Sequence, residues 1–351
     1  MRVPVVSAEG KPLMPTKPAK ARKMMRDGVA VGKFNKLGMF YVQMQIPVGD
    51  KMQDVCLAVD PGSKYDGYAV GTPKGVILKG MAKMPSKVVE KLKHRRQKRR
   101  FRRYRKWRRP CRFDNRRRGN DWIAPSQLAK VQFRLKIVKE LCKILPIKRI
   151  AVEDVAYNHY AKRGGKYFST VEIGKTMLYE ALRAIAELIT FKGWQTASAR
   201  KKYEIAKSTK KDLIAPESHA NDAVALLCLL YGRNVNTEAP FWYWQRPELV
   251  RRSLHRDNFQ KGGVRPRFGG TSNDGFLRKG DFVEAEKAGK VYRGWVCGLP
   301  TERTKVVGVM DAFGKRIGQF AVGKVRLLCR RTGVMWANSY NQKAGILRQT
   351  F

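Results

Sequence analysis

Acidic residues are scarce in this chain, histidines are few, cysteines are never closely paired, and long apolar runs are absent. Only 28 Asp and Glu stand against 74 Lys and Arg, a formal net charge of +46. A freely solvated surface normally mixes both signs. An excess of one sign this large repels itself and makes sense beside a large polyanion. The six cysteines (56, 111, 142, 228, 297 and 329) form no C-x-x-C pair. That argues against a zinc ribbon and for reduced thiols in a cytosolic protein. No run reaches 18 apolar residues and the first residues hold no apolar signal core. We therefore expect neither a membrane span nor secretion, but a cytoplasmic location. At 351 residues, 43% hydrophobic and 10% aromatic, the chain has a globular composition with room for two or three domains.

What is present is concentrated. Lys91 to Arg109 (KLKHRRQKRRFRRYRKWRR) holds thirteen basic residues and no acidic one. Nothing breaks a helix from Lys87 to Arg109, and Pro110 would stop it. Phe101, Tyr104 and Trp107 recur every third residue and so share one face, where they could stack on unpaired bases or pack against protein. The candidate nucleic-acid contacts are Lys91, Lys93, Arg95, Arg96, Lys98, Arg99, Arg100, Arg102, Arg103, Arg105, Lys106, Trp107, Arg108 and Arg109. Residues 87–118 carry 18 of the 74 Lys and Arg, so most of the excess lies elsewhere and the polyanion must reach well beyond this segment.

Around the basic run the pattern alternates between strands and helices. GMFYVQMQIPV (38–48) reads as a strand in a hairpin, and VCLAVD (55–60), GYAVGT (67–72) and GVILKG (75–80) as a three-stranded antiparallel start. A helix is expected over 126–145 behind a Ser cap, a buried strand over 148–155, a helix over 176–193 and a short strand over 194–198. SHANDAVALLCLLYG (218–232) reads as a buried helix from a Ser cap to a Gly stop. FWYWQRPE and the Gly/Arg stretch 261–270 look like linker, followed by short strands between Gly turns, as in a small β-barrel or sandwich. The order β-β-β, α, β, α, β, α is that of an RNase H-like α/β fold interrupted after its third strand.

Four residues stand out together: Asp60, Glu153, His219 and Asp222. Asp60 and Glu153 end strands expected to be sheet neighbours, while His219 and Asp222 are three apart on one helix face. Singly, each has an ordinary role: a turn residue, a solvated strand end, a helix cap. Jointly, clustered carboxylates repel unless a cation neutralises them, and hard oxygen donors suit Mg²⁺ or Mn²⁺. Two such ions can activate water and stabilise a leaving 3′-oxygen in phosphodiester hydrolysis. Asp66 and Asp154 rank below these four because their neighbours fit less well.

These segments resemble a known family. LAVDPGSKYDGYAV resembles the first RuvC motif, IAVEDV the second and SHANDAVAL the third. The arginine-rich stretch resembles the bridge helix of CRISPR type II effectors and their transposon-encoded relatives, and Pro12-Leu13-Met14-Pro15 matches the PLMP motif that opens IscB proteins. IscB proteins carry an HNH nuclease between the second and third RuvC motifs. Here 66 positions separate Glu153 from His219, and His159 is the lone histidine between them. The chain therefore resembles the HNH-lacking IsrB branch.

The resemblance implies an organisation and an activity. The organisation is a PLMP region (1–53), a RuvC core in two parts (54–82 and 119–231) split by a bridge helix (83–118), and a mostly β C-terminal domain (232–351). The activity is RNA-guided nicking of the displaced DNA strand, with Asp60, Glu153, His219 and Asp222 holding two Mg²⁺ ions, Mn²⁺ being a substitute. Its partners would be one guide ωRNA per protein and double-stranded target DNA, in the bacterial or archaeal cytoplasm at the nucleoid. The C-terminal domain would touch guide and target-adjacent motif. A dimeric junction resolvase would share the metal site without needing the basic insertion. A TnpB-like nuclease would usually bring a zinc ribbon, and a non-catalytic RNA binder would leave the four-residue pattern to chance.

Overall fold

A computed structural model describes residues 2–49, 52–106, 122–155, 170–210, 212–248, 272–273, 276–300 and 304–339. The first unit is a four-stranded sheet built from β1 (Val3–Val6), β2 (Pro12–Thr16), β3 (Ala30–Phe34) and β4 (Phe40–Met44), in the order β2-β1-β4-β3. Helix α1 (Pro18–Arg26) joins β2 to β3, and Leu13 of the PLMP segment is buried in this unit's small core.

The chain then builds the central sheet. Strands β5 (Cys56–Asp60), β6 (Tyr65–Thr72) and β7 (Gly75–Lys83) form an antiparallel meander. The basic run follows as helix α2 (Val88–Lys106). Trp107, Arg108 and Arg109 lie outside the described residues. Next come α3 (Pro125–Cys142), β8 (Arg149–Asp154), α4 (Thr170–Arg183), β9 (Glu187–Lys192), α5 (Gly193–Lys202) and α6 (Asn221–Tyr231). Strands β8 and β9 add in parallel beside β5, giving the order β7-β6-β5-β8-β9. That order, with the second strand alone reversed, is the RNase H-like arrangement the element sequence predicts.

Two assignments change. The apolar stretch expected to be one helix over 176–193 leaves the helix at Arg183, and Glu187–Lys192 becomes β9. LITF suits a strand, and its pairing with β8 satisfies a backbone that a longer helix would leave off the sheet. Trp194–Ser198, expected as a strand, is the start of α5 instead. The caps differ too. Helix α3 begins with Pro125 behind Ala124, so Ser126 is no cap. A π-turn over Pro216–Ala220 precedes α6, and Ser218 Oγ donates back to the Ala215 carbonyl at 2.7 Å. Gly232 at φ 63° does stop α6.

The largest difference concerns FWYWQ. Phe241–Gln245 is no linker but strand β10, parallel to β7 and buried. After the short pair β11 (Ser272–Asn273) and β12 (Leu277–Arg278), strands β13 (Phe282–Lys287), β14 (Lys290–Gly298), β15 (Val306–Met310), β16 (Arg316–Ala321) and β17 (Val325–Cys329) form a five-stranded antiparallel sheet. Its order is β16-β15-β14-β13-β17, open among the described residues rather than closed into a barrel. Strand β18 (Met335–Asn338) then returns to pair with β10. The central sheet thus has seven strands among the described residues, two of them supplied from beyond Gly232. Four aromatics in five residues favour a strand, but without alternation and next to Arg246-Pro247 the segment reads as linker. Stretch 261–270 lies outside the described residues.

Trp244 shows why β10 belongs there. It is wholly buried, its indole N–H donates to the Leu37 carbonyl at 3.3 Å, and a Cβ at Gly80 would lie 2.3 Å from its ring. One side chain ties the N-terminal unit to the sheet. Trp244→Ala is expected to cost about 3–5 kcal/mol, read as a lower midpoint in chemical denaturation. A linker tryptophan would cost almost nothing.

Candidate metal centre

Strand parity sorts the acidic residues. Leu57, Val59, Tyr68, Val70, Ile150 and Val152 face α3 and α4 across the main core. The alternate positions Cys56, Ala58, Ala69 and Ala151 face α6. Asp60 and Glu153 continue this second set at the C-terminal ends of adjacent parallel strands, beside the Val59–Val152 pairing. Asp66 and Asp154 belong to the first set and meet different neighbours.

Small residues let α6 close over that second face. At Gly67 a Cβ would lie 2.1 Å from the His219 carbonyl, and at Gly71 2.8 Å from Leu227. The π-turn can therefore lie directly on β6. It carries His219 to the strand ends and places Asp222 in the first turn of α6, where Asp222 is 3% exposed. Asp60, His219 and Asp222 each present a ligand atom within 4.8 Å of the others. The His219 ring stacks on Tyr65 with centroids 5.5 Å apart. Glu153 lies outside this tight group but faces it, its carboxylate against Gly193.

The electrostatics follow from that crowding. Burial pushes the Asp60 carboxyl well above the usual range, and the charges of Asp222, Glu153 and Asp66 push it further, with Lys207 opposing. Glu153 is raised first by burial and also by Asp222, against a Thr196 hydroxyl, Arg200 and Lys207. Asp222 accepts a hydrogen bond from Arg200 Nη1 at 2.5 Å on one oxygen and an ion pair from Lys207 on the other. The Lys207 loop is tethered: Lys79 Nζ donates to Asn221 Oδ1 at 3.2 Å and Asn221 Nδ2 to the Ala206 carbonyl at 2.8 Å. Sequence reasoning missed Arg200 and Lys207, because nothing marks two cations among 74.

Asp66 and Asp154 are consumed elsewhere. Asp66 is fully buried, with Arg134 Nε and Nη2 donating to its two oxygens at 2.7 and 2.9 Å and the Gly62 N–H at 2.9 Å. Asp154 pairs with Lys192 at 2.9 Å and Lys175 at 3.0 Å. These contacts, Lys192 foremost, pull its carboxyl down to about 2. Both oxygens of each are taken by these partners. Beside Glu153 a cleft of about 160 Å³ opens between the Pro61–Ser63 loop and helices α3 and α4.

The donor set suits a hard divalent cation. Two carboxylates and an imidazole converge, burial and neighbouring acids disfavour the ionised form of Asp60, and Glu153 ends the adjacent parallel strand. Helix α2 shows Lys91, Lys93, Arg95, Arg96, Arg99 and Arg100 to solvent. The side chains of Lys98, Arg102, Arg103, Arg105 and Lys106 lie outside the described residues. The five cysteines among the described residues are free, and Cys111 lies outside them.

The family model described as "RRXRR protein" matches residues 3–172. Among solved structures, T. thermophilus RuvC in complex with a Holliday junction substrate is similar at 12% identity and a TM-score of 0.29, over 50% of this chain and 90% of that one. A second Thermus thermophilus RuvC structure gives 13% identity and a TM-score of 0.27, over 49% and 90%. No curated protein matches. The fold assignment rests on strand order and register instead.

A carboxyl raised in the folded state binds its proton more tightly there than when unfolded, so stability falls as pH rises above the ordinary Asp range. Asp60→Asn is therefore expected to raise the melting temperature of the metal-free protein at neutral pH, and Mg²⁺ to stabilise the wild type more than the variant. Arg134→Met leaves Asp66 buried and unpaired, an expected loss of about 3–5 kcal/mol in denaturant titration.

Proposed function

We propose that this protein is an RNA-guided nickase of DNA, with Asp60, Glu153, His219 and Asp222 as its hydrolytic centre. The convergence of Asp60, His219 and Asp222 at one end of an RNase H-like sheet is the observation that carries this reading. Mg²⁺ held by these side chains would supply Lewis acidity and an activated water. The chain's own residues do the remainder. Asp60 and Glu153 would fix the reacting phosphate's surroundings from strand ends, and His219, stacked on Tyr65, would complete the ligand set with Asp222. Arg200 and Lys207 stand beside Asp222, where they can balance charge developing on a bound phosphate.

The guided part of the reading draws support from charge and from the resemblance of the motifs. A net charge of +46 exceeds what one strand at one active site requires. An exposed basic helix placed between β7 and α3 fits a role in gripping a guide ωRNA and its heteroduplex with the target strand. Pairing would then supply sequence specificity, one protein acting with each RNA in the bacterial or archaeal cytoplasm. The C-terminal sheet would contact the guide and the target-adjacent motif. With no HNH nuclease, the displaced strand is cut and the target strand spared.

The test is to purify the protein with its RNA, sequence that RNA, and assay a supercoiled plasmid library bearing the matching target and random flanks. Nicking of the displaced strand with Mg²⁺, abolished by Glu153→Gln with RNA retention unchanged, is the expected outcome. Cutting of both strands, or recovery of an RNA-free dimer that resolves four-way junctions, would overturn it.

A further inference from the structure

We infer that the cleft between the Pro61–Ser63 loop and helices α3 and α4 is a base pocket, which takes one pyrimidine of the strand cut at the carboxylate cluster. The inference rests on the nuclease reading and names the part of the substrate held beside the reacting phosphate. The cleft adjoins both acidic strand ends. Pro61 follows Asp60 directly, and Glu153 itself forms part of the wall.

A strand whose phosphate lies at the cluster must turn its next nucleotide to one side of the β5 and β8 ends. Toward α5 there is no room, because a Cβ at Gly193 would already lie 2.9 Å from Glu153 Oε1. Toward α6 the π-turn lies on β6, with the His219 carbonyl 2.1 Å from where a Cβ at Gly67 would be. Toward α3 and α4 the structure opens into a space of about 160 Å³. This is the side on which a nucleotide fits.

The lining has the chemistry of a base site. Val131 and Leu178 are buried and give it an apolar floor, which Val155 continues beside Glu153. Lys130 bridges α3 to the loop, its Nζ donating to the Ser63 carbonyl at 2.8 Å. An ammonium has three donors, so two remain for a phosphate. Gln127 adds an amide with both a donor and an acceptor for a ring edge. An apolar floor below a cationic and amide rim fits a flat ring carried on an anionic backbone. Neither a bare anion nor a wholly apolar ligand uses both.

Size selects the ring. An apolar cavity of about 150 Å³ holds one benzene ring. A cleft of about 160 Å³ therefore admits the single ring of a pyrimidine, while a purine leaves its second ring outside. Guide pairing would choose the target, and this pocket would set a local preference for where the strand is cut.

Gly174 on α4 supplies the test. It lines the cleft within a helix, and a Cβ there meets nothing closer than 3.6 Å, so a side chain can be added without straining the backbone. Gly174→Met should fill the cleft, and Gly174→Ala should leave it open. The full chain with its co-purified RNA is used in an Asp60→Asn background with Mg²⁺, so that no strand is cut. Single-stranded DNA unrelated to the RNA, made of adenines around a central thymine, guanine or abasic site, is titrated by fluorescence anisotropy. The thymine strand is expected to bind about tenfold more tightly than the other two. Gly174→Ala should keep that ratio and Gly174→Met should lose it at an unchanged melting temperature. Val171→Phe, which narrows the cleft from its rim, should lose it too and serves if Gly174→Met does not fold. Equal binding of the thymine and guanine strands without a cleft substitution, or a thymine advantage that survives the cleft-filling variants, would overturn the inference. Binding is read without cleavage, so the pocket can fail while Glu153→Gln still abolishes nicking, and can hold if nicking survives that substitution.

Discussion

The close packing of α6 on one face of the central sheet is the constraint on which the rest of the molecule depends. That face is lined by Cys56, Ala58, Gly67, Ala69, Gly71 and Ala151, and a single methyl at Gly67 would meet the His219 backbone at 2.1 Å. Only such a shallow surface lets a helix buried from Asn221 to Cys228 bring Asp222 down to the level of Asp60. Packing and chemistry cannot be separated here. The contact that builds the second core also concentrates negative charge at the strand ends.

That concentration costs stability, and the structure offsets it locally. Arg200 and Lys207 take both oxygens of Asp222, and Lys207 also eases the burden on Asp60. On the opposite face the same problem is solved permanently, with Arg134 closing Asp66 into a buried pair and Lys175 and Lys192 holding Asp154. Pairs on the α3/α4 side lock the fold, whereas those around Asp222 leave Asp60 without an ion pair among the described residues. A divalent ion would have most to gain there.

Much of this was legible in the residues because local pattern and tertiary need agree. The short apolar runs VCLAVD and GYAVGT bounded by turn residues, the Gly stop of α6 and the acids at strand ends all carry run, turn or cap signals. The order of the elements was enough to foresee the RNase H-like core. Three features were opaque. LITFK reads equally as the last turns of a helix or as a strand, and pairing with β8 decides it. FWYWQ has no alternation because both of its faces are covered, so it looks like linker until β7 and β18 flank it. Arg200 and Lys207 are invisible in so basic a chain, since what distinguishes them is the carboxylate they meet.

At larger scale the cations outnumber any local need, and most of them lie outside both α2 and the cluster. Asp60, His219 and Asp222 form the one cluster of potential metal ligands among the described residues, in a chain whose net charge is +46. The most direct measurement is anomalous scattering from crystals of the protein–RNA complex soaked in Mn²⁺. The account predicts manganese bound between Asp60 and Asp222, with Glu153 and His219 in its shell and Lys207 displaced. Manganese bound only elsewhere, with Arg200 and Lys207 still on Asp222, would contradict it.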